Sequence, residues 1–224
     1  MRSLPLPLAL TARLTPVVVL ACAGWAMTSG SDADAQDTAA KDTRQTQSEK
    51  KDSDGGSSGT AVSKTYDAAL APCTSVAAKT ITTLVPGAKT AGKEIPSTDT
   101  KLRRTCSWNA LKGFDYRWLD ISFEITDSDA AAQSSYTDRL KEKSGGGDVP
   151  GLGDAGYSVV NLTTEDKQQT REGTVIARVS NALVVVTYNG SDFESKKAPS
   201  TDVINKGAIK AAKEAVAALR KSAG

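Results

Sequence analysis

The positions of three cysteines constrain the fold of this 224-residue chain more than any other feature. Cys22 ends an apolar run, whereas Cys73 and Cys106 lie deep in the chain. An odd cysteine in an exported protein needs an explanation, and lipid attachment to Cys22 supplies one. Cys73 and Cys106 then remain as a pair that can form a disulfide outside the cytoplasm. Such a bridge would restrain the unfolded chain by roughly 3 to 4 kcal/mol. A redox-active pair is the alternative, but the C-x-x-C spacing that tunes thiol acidity is lacking.

Residues 1–22 have the layout of a secretory signal peptide. Arg2 and Arg13 supply positive charge, residues 14–21 form the apolar segment, and Val19-Leu20-Ala21-Cys22 is similar to a bacterial lipobox. Acyl chains on Cys22 would hold the protein at the outer face of the cell membrane.

Two other interpretations of the N-terminus stay open. The apolar segment after Arg13 is short, and small-x-small cleavage sites at residues 21–23 and 33–35 would release a secreted protein instead. An uncleaved anchor would have to use residues 14–27, which are too few to cross a bilayer comfortably.

Residues 23–63 are predicted to form a disordered tether, and residues 64–224 a single globular domain. From about Ser29 to Ser63 the chain is almost wholly polar or small, so it has too little apolar surface to offset the entropy of ordering it. About 40 such residues span roughly 35 Å root-mean-square, which would hold the domain clear of the bilayer. A plain spacer is the simpler interpretation, and a functional disordered tail is the alternative.

The composition argues against several function classes. The chain contains no histidine, which is the commonest general base and neutral metal ligand. A net charge of +2 demands no basic face for nucleic acid. The acidic pairs Asp52/Asp54 and Asp127/Asp129 lack the other ligands of a calcium loop, and no serine lies in a G-x-S-x-G context. We therefore expect no cofactor, no metal, no nucleic-acid partner and no enzymatic activity.

Hydrophobic periodicity predicts an α+β domain. Residues 119–125 alternate apolar and polar side chains, as a half-buried strand does. Further strands are predicted at residues 103–110, 157–162, 173–180 and 183–189, the last two forming a hairpin around Asn181-Ala182. Helices are predicted from a cap at Thr74 or Ser75 to about Leu84, from Asp127 or Asp129 to Gly145-Gly146-Gly147, and over residues 201–221. The order favours a mainly antiparallel sheet of about five strands packed with helices.

The run from Gly151 to Gly156 spells G-x-G-x-x-G. Dinucleotide binding needs a strand before this motif and a helix after it, so that amides at the helix N-terminus meet the pyrophosphate. Here a glycine-rich segment precedes it and the strand-like Tyr157-Ser158-Val159-Val160 follows. We interpret the motif as a glycine-shaped turn that leads into a strand.

Carboxylates and aromatic residues are the remaining candidates for a site. Asp115, Asp120, Glu124 and Asp154 could in principle pair for acid–base chemistry. However, Asp120 and Glu124 lie on the polar side of a predicted strand, which favours a solvated face. Trp108, Tyr116 and Trp118 cluster around the first strand pair. Such side chains can anchor a partner, although core packing is the more common role.

Three groups of residues, taken in order and spacing, resemble the actinobacterial lipoproteins of domain of unknown function 3558. They are Pro72-Cys73, Cys106-Ser107-Trp108 and the run from Val149 to Tyr157. The resemblance spans about residues 66–220. It implies an exported, lipid-anchored, disulfide-bearing domain, and a Mog1/PsbP-like α/β/α sandwich like that of related mycobacterial surface lipoproteins. Gly156 departs from the alanine expected there, and the family supplies no catalytic residues.

These observations lead to three functional hypotheses. The first is a monomeric, membrane-anchored binding module that recognises an envelope protein or a small ligand. The second is a structural or regulatory scaffold of the cell envelope, which a contiguous exposed apolar patch would favour over a concave pocket. The third is an envelope hydrolase or transferase that uses carboxylates alone, which a close pair of buried carboxylates would favour.

Overall fold

The computed structural model describes residues 64–224. The predicted signal peptide with Cys22 and the predicted tether at residues 23–63 lie outside the described residues. Residues 64–224 form one continuous sheet with its helices and bury a core that extends from Tyr66 to Leu219. The segment therefore has what an independently folding domain requires. None of its helices is both long enough and apolar enough to cross a membrane.

One antiparallel sheet of seven strands forms the centre of the domain, in the order β1-β2-β3-β7-β6-β5-β4. The strands are β1 (Lys93–Ile95), β2 (Arg103–Lys112), β3 (Asp115–Ile125), β4 (Gly147–Asp148), β5 (Ala155–Glu165), β6 (Gln168–Val179) and β7 (Ala182–Asp192). The α+β class and the antiparallel sheet confirm the sequence prediction, and the five predicted strand segments correspond to β2, β3, β5, β6 and β7. The expected total of about five was wrong, because the edge strands β1 and β4 have three and two residues and so show no periodicity.

The predicted hairpin between β6 and β7 is confirmed, with its turn at Ser180 and Asn181. Asn181 is fully buried although it lies in a turn. Its amide oxygen accepts hydrogen bonds from the backbone of Thr65 and Tyr66, and its amide nitrogen donates to the carbonyls of Tyr66 and Thr126. The turn therefore fastens the start of the domain to the end of β3.

The first helix starts later than predicted. A 3₁₀ turn at Pro72–Thr74 comes first, and α1 (Ala78–Leu84) follows. The predicted cap at Thr74 or Ser75 was wrong, because no side chain caps α1 from its own segment. The carboxylate of Glu214, from the last helix, accepts the hydrogen bond of an amide at the helix start instead.

The other two helices begin where the sequence predicts. Helix α2 (Asp129–Glu142) starts at one of the two expected positions, and the hydroxyl of Ser128 accepts the amide hydrogen bond of Ala131. Helix α3 (Thr201–Lys221) has the predicted span and is capped by Ser200. Both caps are hydroxyls at the position where free helix amides need acceptors.

Helices lie on both faces of the sheet, so the domain has three layers. Helix α3 packs on β5, β6 and β7, and Tyr188 of β7 donates a hydrogen bond to the carbonyl of Leu84 in α1. On the opposite face, Tyr136 of α2 packs against Ile176 and Leu183. Because side chains alternate along a strand, Tyr188 and Leu183 point to different faces. We call the face under α2 the outer face.

The disulfide between Cys73 and Cys106 is confirmed, with the two Cα atoms 5.1 Å apart. Cys106 is fully buried in the centre of β2, whereas Cys73 is partly exposed in the 3₁₀ turn. The bridge therefore fastens the turn before α1 to the sheet.

Candidate functional site

On the outer face, α2 packs on β6 and β7 and reaches β3 through Arg139, near the end of β3 at Ile125, so the opposite, turn end of β2 and β3 is left open. Five apolar or aromatic side chains lie together at the turn end of this face, and we call them the aromatic patch. They are Leu111, Phe114, Tyr116, Trp118 and Phe193. The register of the sheet places Tyr116 beside Leu111 on β2 and beside Ser191 on β7. Four members, all except Tyr116, are between 36% and 57% exposed.

Ring contacts hold the aromatic patch in one arrangement. The Tyr116 ring lies edge-on to Trp118, with centroids 6.4 Å apart, and 6.0 Å from the Phe193 ring. The amide of Phe193 donates to the carbonyl of Phe114 at 2.9 Å, which ties the end of β7 to the β2–β3 turn. Burial raises the pKa of the Tyr116 phenol, and the nearby charge of Asp120 adds to this. A patch that is already ordered loses little side-chain entropy when a partner binds.

The three aromatic residues that the sequence singled out therefore have two different roles. Trp108 is 1% exposed, and its indole nitrogen donates to the carbonyl of Thr90 at 3.0 Å, so it belongs to the core. Tyr116 and Trp118 lie on the open outer face, where the Trp118 indole nitrogen donates to Asp120 at 2.6 Å. Sequence reasoning missed Phe193, since it follows the end of a strand and belongs to no alternating run.

A groove of about 590 Å³ lies between α2 and strands β6 and β7, on the same outer face of the sheet as the aromatic patch. Its lining includes Asp138, Arg139 and Glu142 from α2 and Glu172 and Thr187 from the sheet. The lining carries side chains of both charges, so this groove gives the outer face a polar surface on the α2 side of the patch. Large apolar side chains inside a polar border are typical of protein interfaces.

The four candidate carboxylates do not form a catalytic pair, because each has partners of its own. These are Arg117 for Asp115, Trp118 for Asp120, Arg103 and Arg139 for Glu124, and Arg178 and Arg220 for Asp154. Asp120 and Glu124 share a face but are four residues apart, about 13 Å along a strand.

The predicted solvated face was wrong for Glu124. Its side chain is only 15% exposed, because Arg139 of α2 reaches across the sheet and donates a hydrogen bond to it. The sequence contains no sign of this contact, which depends on how α2 packs on the neighbouring strands β6 and β7.

The G-x-G-x-x-G segment is a structural turn, as the sequence predicted. Gly153 has φ of +70°, and a Cβ there would lie 2.4 Å from the carbonyl oxygen of Arg178. Between the glycines, Leu152 is buried in the core, and β5 rather than a helix follows. Asp154 accepts the amide of Ser180 at 2.7 Å and forms ion pairs with two arginines. The segment therefore fixes the β6–β7 turn against α3.

Metal chemistry has no ready site in the part of the chain that the structure describes. Residues 64–224 contain no group of three or more Cys, Asp or Glu side chains placed to hold an ion. Asp127, one of the calcium-loop candidates, forms an exposed ion pair with Lys64.

Comparisons with known proteins leave the family of this chain open. No protein-family model and no curated protein matches the sequence. One similar solved structure is a protein from Bacteroides thetaiotaomicron VPI-5482, with 12% identity, a TM-score of 0.31, and coverage of 49% of each chain. Another is the extracellular domain of PknH from Mycobacterium tuberculosis, with 11% identity and a TM-score of 0.29, covering 53% of this chain and 64% of that one.

Less than two thirds of either structure is therefore matched. The resemblance to the actinobacterial lipoproteins and to the Mog1/PsbP-like fold stays a prediction, and the function must be argued from the site itself.

Proposed function

We propose that this chain is an extracytoplasmic, lipid-anchored binding domain that docks a partner protein of the cell envelope on the aromatic patch. One observation carries the proposal: Leu111, Phe114, Trp118 and Phe193 expose their side chains together at the open turn end of the sheet's outer face. Scattered exposed apolar residues are ordinary, but a contiguous group is typical of an interaction site.

The shape and chemistry of the aromatic patch favour a protein over a small ligand. Small-molecule sites are concave and bury most of the ligand. The patch instead lies on an open sheet surface, with Tyr116 and Trp118 ordered by ring contacts. Aromatic residues that are held rigidly and surrounded by polar side chains are the usual hot spots of protein interfaces.

The predicted anchor and tether give this surface a place to act. Lipid attached to Cys22 would hold the protein at the outer face of the cell membrane, and residues 23–63 would let the domain reach roughly 35 Å from it. A soluble, secreted form is the alternative if cleavage occurs elsewhere. The same docking surface would serve a scaffold lipoprotein, which differs from a recognition module in its partner rather than in its chemistry.

A carboxylate-dependent hydrolase is a weaker candidate. Glycoside hydrolases, for example, use two carboxylates that flank the scissile bond. Here Glu124 is neutralised by two arginines, and Asp154 is used to hold a turn.

Site-specific photocrosslinking in the native host tests the proposal. A photoreactive amino acid replaces Phe193 in one strain and Val203 in a control strain. Val203 is also exposed and apolar, but it lies on α3 and away from the patch. We expect a discrete protein adduct from position 193 and none from position 203. No adduct at 193, or the same adducts at both positions, would contradict the docking surface.

Non-denaturing mass spectrometry of residues 64–224 from the same host tests whether the domain carries a small ligand instead. A clean protein mass is expected, whereas a discrete added mass would identify a ligand carrier and overturn the proposal.

A further inference from the structure

The edge of the sheet at β2 is only partly paired. Strand β1 pairs with Thr105, Cys106 and Ser107 and reaches no further. Gly92, with φ of +65°, turns the chain away from the sheet immediately before β1. Residues 108–112 therefore have β3 on one side and no strand of the described chain on the other.

The turn between β2 and β3 shows which backbone groups point out of this edge. Gly113 has a positive φ and Phe114 does not, as in a two-residue hairpin turn closed by the pair Lys112 and Asp115. Backbone groups in an antiparallel pair alternate in direction along each strand. Counting back from Lys112, the N–H and C=O groups of Leu111 and Asn109 point away from β3.

A groove of about 430 Å³ follows this same edge. One wall is the segment that leads into β1, and the other side is formed by β2 from Ser107 to Leu111. The charged residues in the lining are Lys89 and Lys93, with no carboxylate among them, and neither lysine forms an ion pair within residues 64–224. The groove is therefore cationic.

The groove also contains a buried hydroxyl that has no partner. Ser107 is 8% exposed, and its Oγ makes no hydrogen bond to any described residue. Buried polar groups are nearly always paired, so this hydroxyl is free to take a hydrogen bond from a water or from a molecule bound in the groove.

We infer that the edge of β2 binds an extended, acidic polypeptide segment, which adds to the sheet as a strand beside residues 108–112. Free N–H and C=O groups of Asn109 and Leu111 pair with its backbone, and Lys89 and Lys93 attract its carboxylates. This inference goes beyond the docking of a protein on the aromatic patch, since it depends on backbone groups at the sheet edge rather than on aromatic side chains.

The opposite edge of the sheet supplies a matched control. Strand β4 pairs only with Tyr157 and Ser158, which leaves the rest of β5 unpaired on the edge that faces away from β6. The turn at Asp166 and Lys167 closes this hairpin, and counting back from it places the amide of Leu162 outward. Leu162 is 47% exposed, so it matches Leu111 in residue type, exposure and backbone direction.

The probe is a library of random displayed heptapeptides, selected on immobilised residues 64–224. We expect the selected peptides to be rich in Asp, Glu and β-branched residues. Leu111→Pro removes the outward amide without touching the pairing to β3 and should weaken their binding by about tenfold or more. Leu162→Pro and Leu111→Ala both leave the Leu111 amide at the β2 edge in place. Each should therefore change the Kd of the selected peptides by less than about threefold.

Three results would overturn the inference: a selection that yields no binding peptides, peptides unaffected by Leu111→Pro, or equal losses with Leu162→Pro. If Leu111→Pro does not fold, amide hydrogen exchange on the wild-type domain decides instead. Bound peptide should slow exchange at Asn109 and Leu111 and leave Ala110 unchanged, and unchanged exchange at both outward amides would contradict strand addition.

A double variant, Phe114→Ala with Trp118→Ala, separates this inference from the proposed function, because both residues belong to the aromatic patch and position 193 stays free for the photoreactive amino acid. It should lose the envelope crosslink from position 193 and retain the selected peptides.

Discussion

Replacing Cys73 by serine breaks the bridge to Cys106 with little other change to the domain, because Cys73 is partly exposed. The remaining Cys106 thiol stays in the core, where cysteine behaves as a small hydrophobic residue. The bridge joins residues 33 positions apart, and loop-closure entropy for a loop of that length amounts to about 3.7 kcal/mol. We expect Cys73→Ser to lower the free energy of unfolding by about this amount. For a domain of this size, the corresponding fall in Tm is about 10 °C.

Cys106→Ser should cost more than Cys73→Ser, although both variants lose the same bridge. Cys106 is fully buried among apolar side chains. A serine there buries a hydroxyl, which costs about 1 to 3 kcal/mol more unless it finds a partner. The order of stability is therefore wild type, then Cys73→Ser, then Cys106→Ser.

Thermal and urea unfolding of residues 64–224, followed by circular dichroism, measures both differences. Wild-type protein kept reduced serves as the control. It should have the same melting temperature and urea midpoint as Cys73→Ser, since both lack only the crosslink. An unchanged melting curve for Cys73→Ser would refute the structural role of the bridge. Equal stability of the two serine variants would refute the assignment of Cys106 to the apolar core.

Three further predictions concern the glycine turn, the alkaline limit and the anchor. Gly153→Ala should destabilise the domain by about 2 to 4 kcal/mol, since the added Cβ would meet the carbonyl of Arg178. Gly151→Ala is also at positive φ but in open space, so it should cost about 1 kcal/mol. Urea unfolding measures both. Burial raises the pKa of the Tyr188 phenol above its ordinary value of 10.0. The neutral phenol therefore contributes its full share to the free energy of unfolding below pH 10.0. That share falls as the pH rises through the folded-state pKa. A titration of unfolding free energy against pH should show this decline, and Tyr188→Phe should reduce its slope. Cys22→Ser should release the protein from membranes in cell fractionation, and continued retention would point to an uncleaved anchor.

The fold class could be predicted from local patterns because these patterns record local geometry. The alternation at Leu119, Ile121 and Phe123 reports which side of a strand is buried, and all three are fully buried in the structure. The helical spacing over residues 201–221 likewise predicts a helix with one apolar face. Chemistry restricts the cysteines in the same direct way, so the bridge between Cys73 and Cys106 could be predicted from their number and compartment.

Which polar and aromatic residues are covered could not be read from such patterns. Trp108 and Trp118 lie on neighbouring strands with similar surroundings in sequence, yet one is core and the other is exposed. The difference arises because the core-side helices and loops cover one face of β2 and β3, while α2 passes over β6 and β7 and leaves the other face open. Farther along the same face of β3, the Glu124 side chain is only 15% exposed because Arg139 reaches it from α2. Coverage depends on contacts between segments far apart in the chain, and local periodicity carries no information about those contacts.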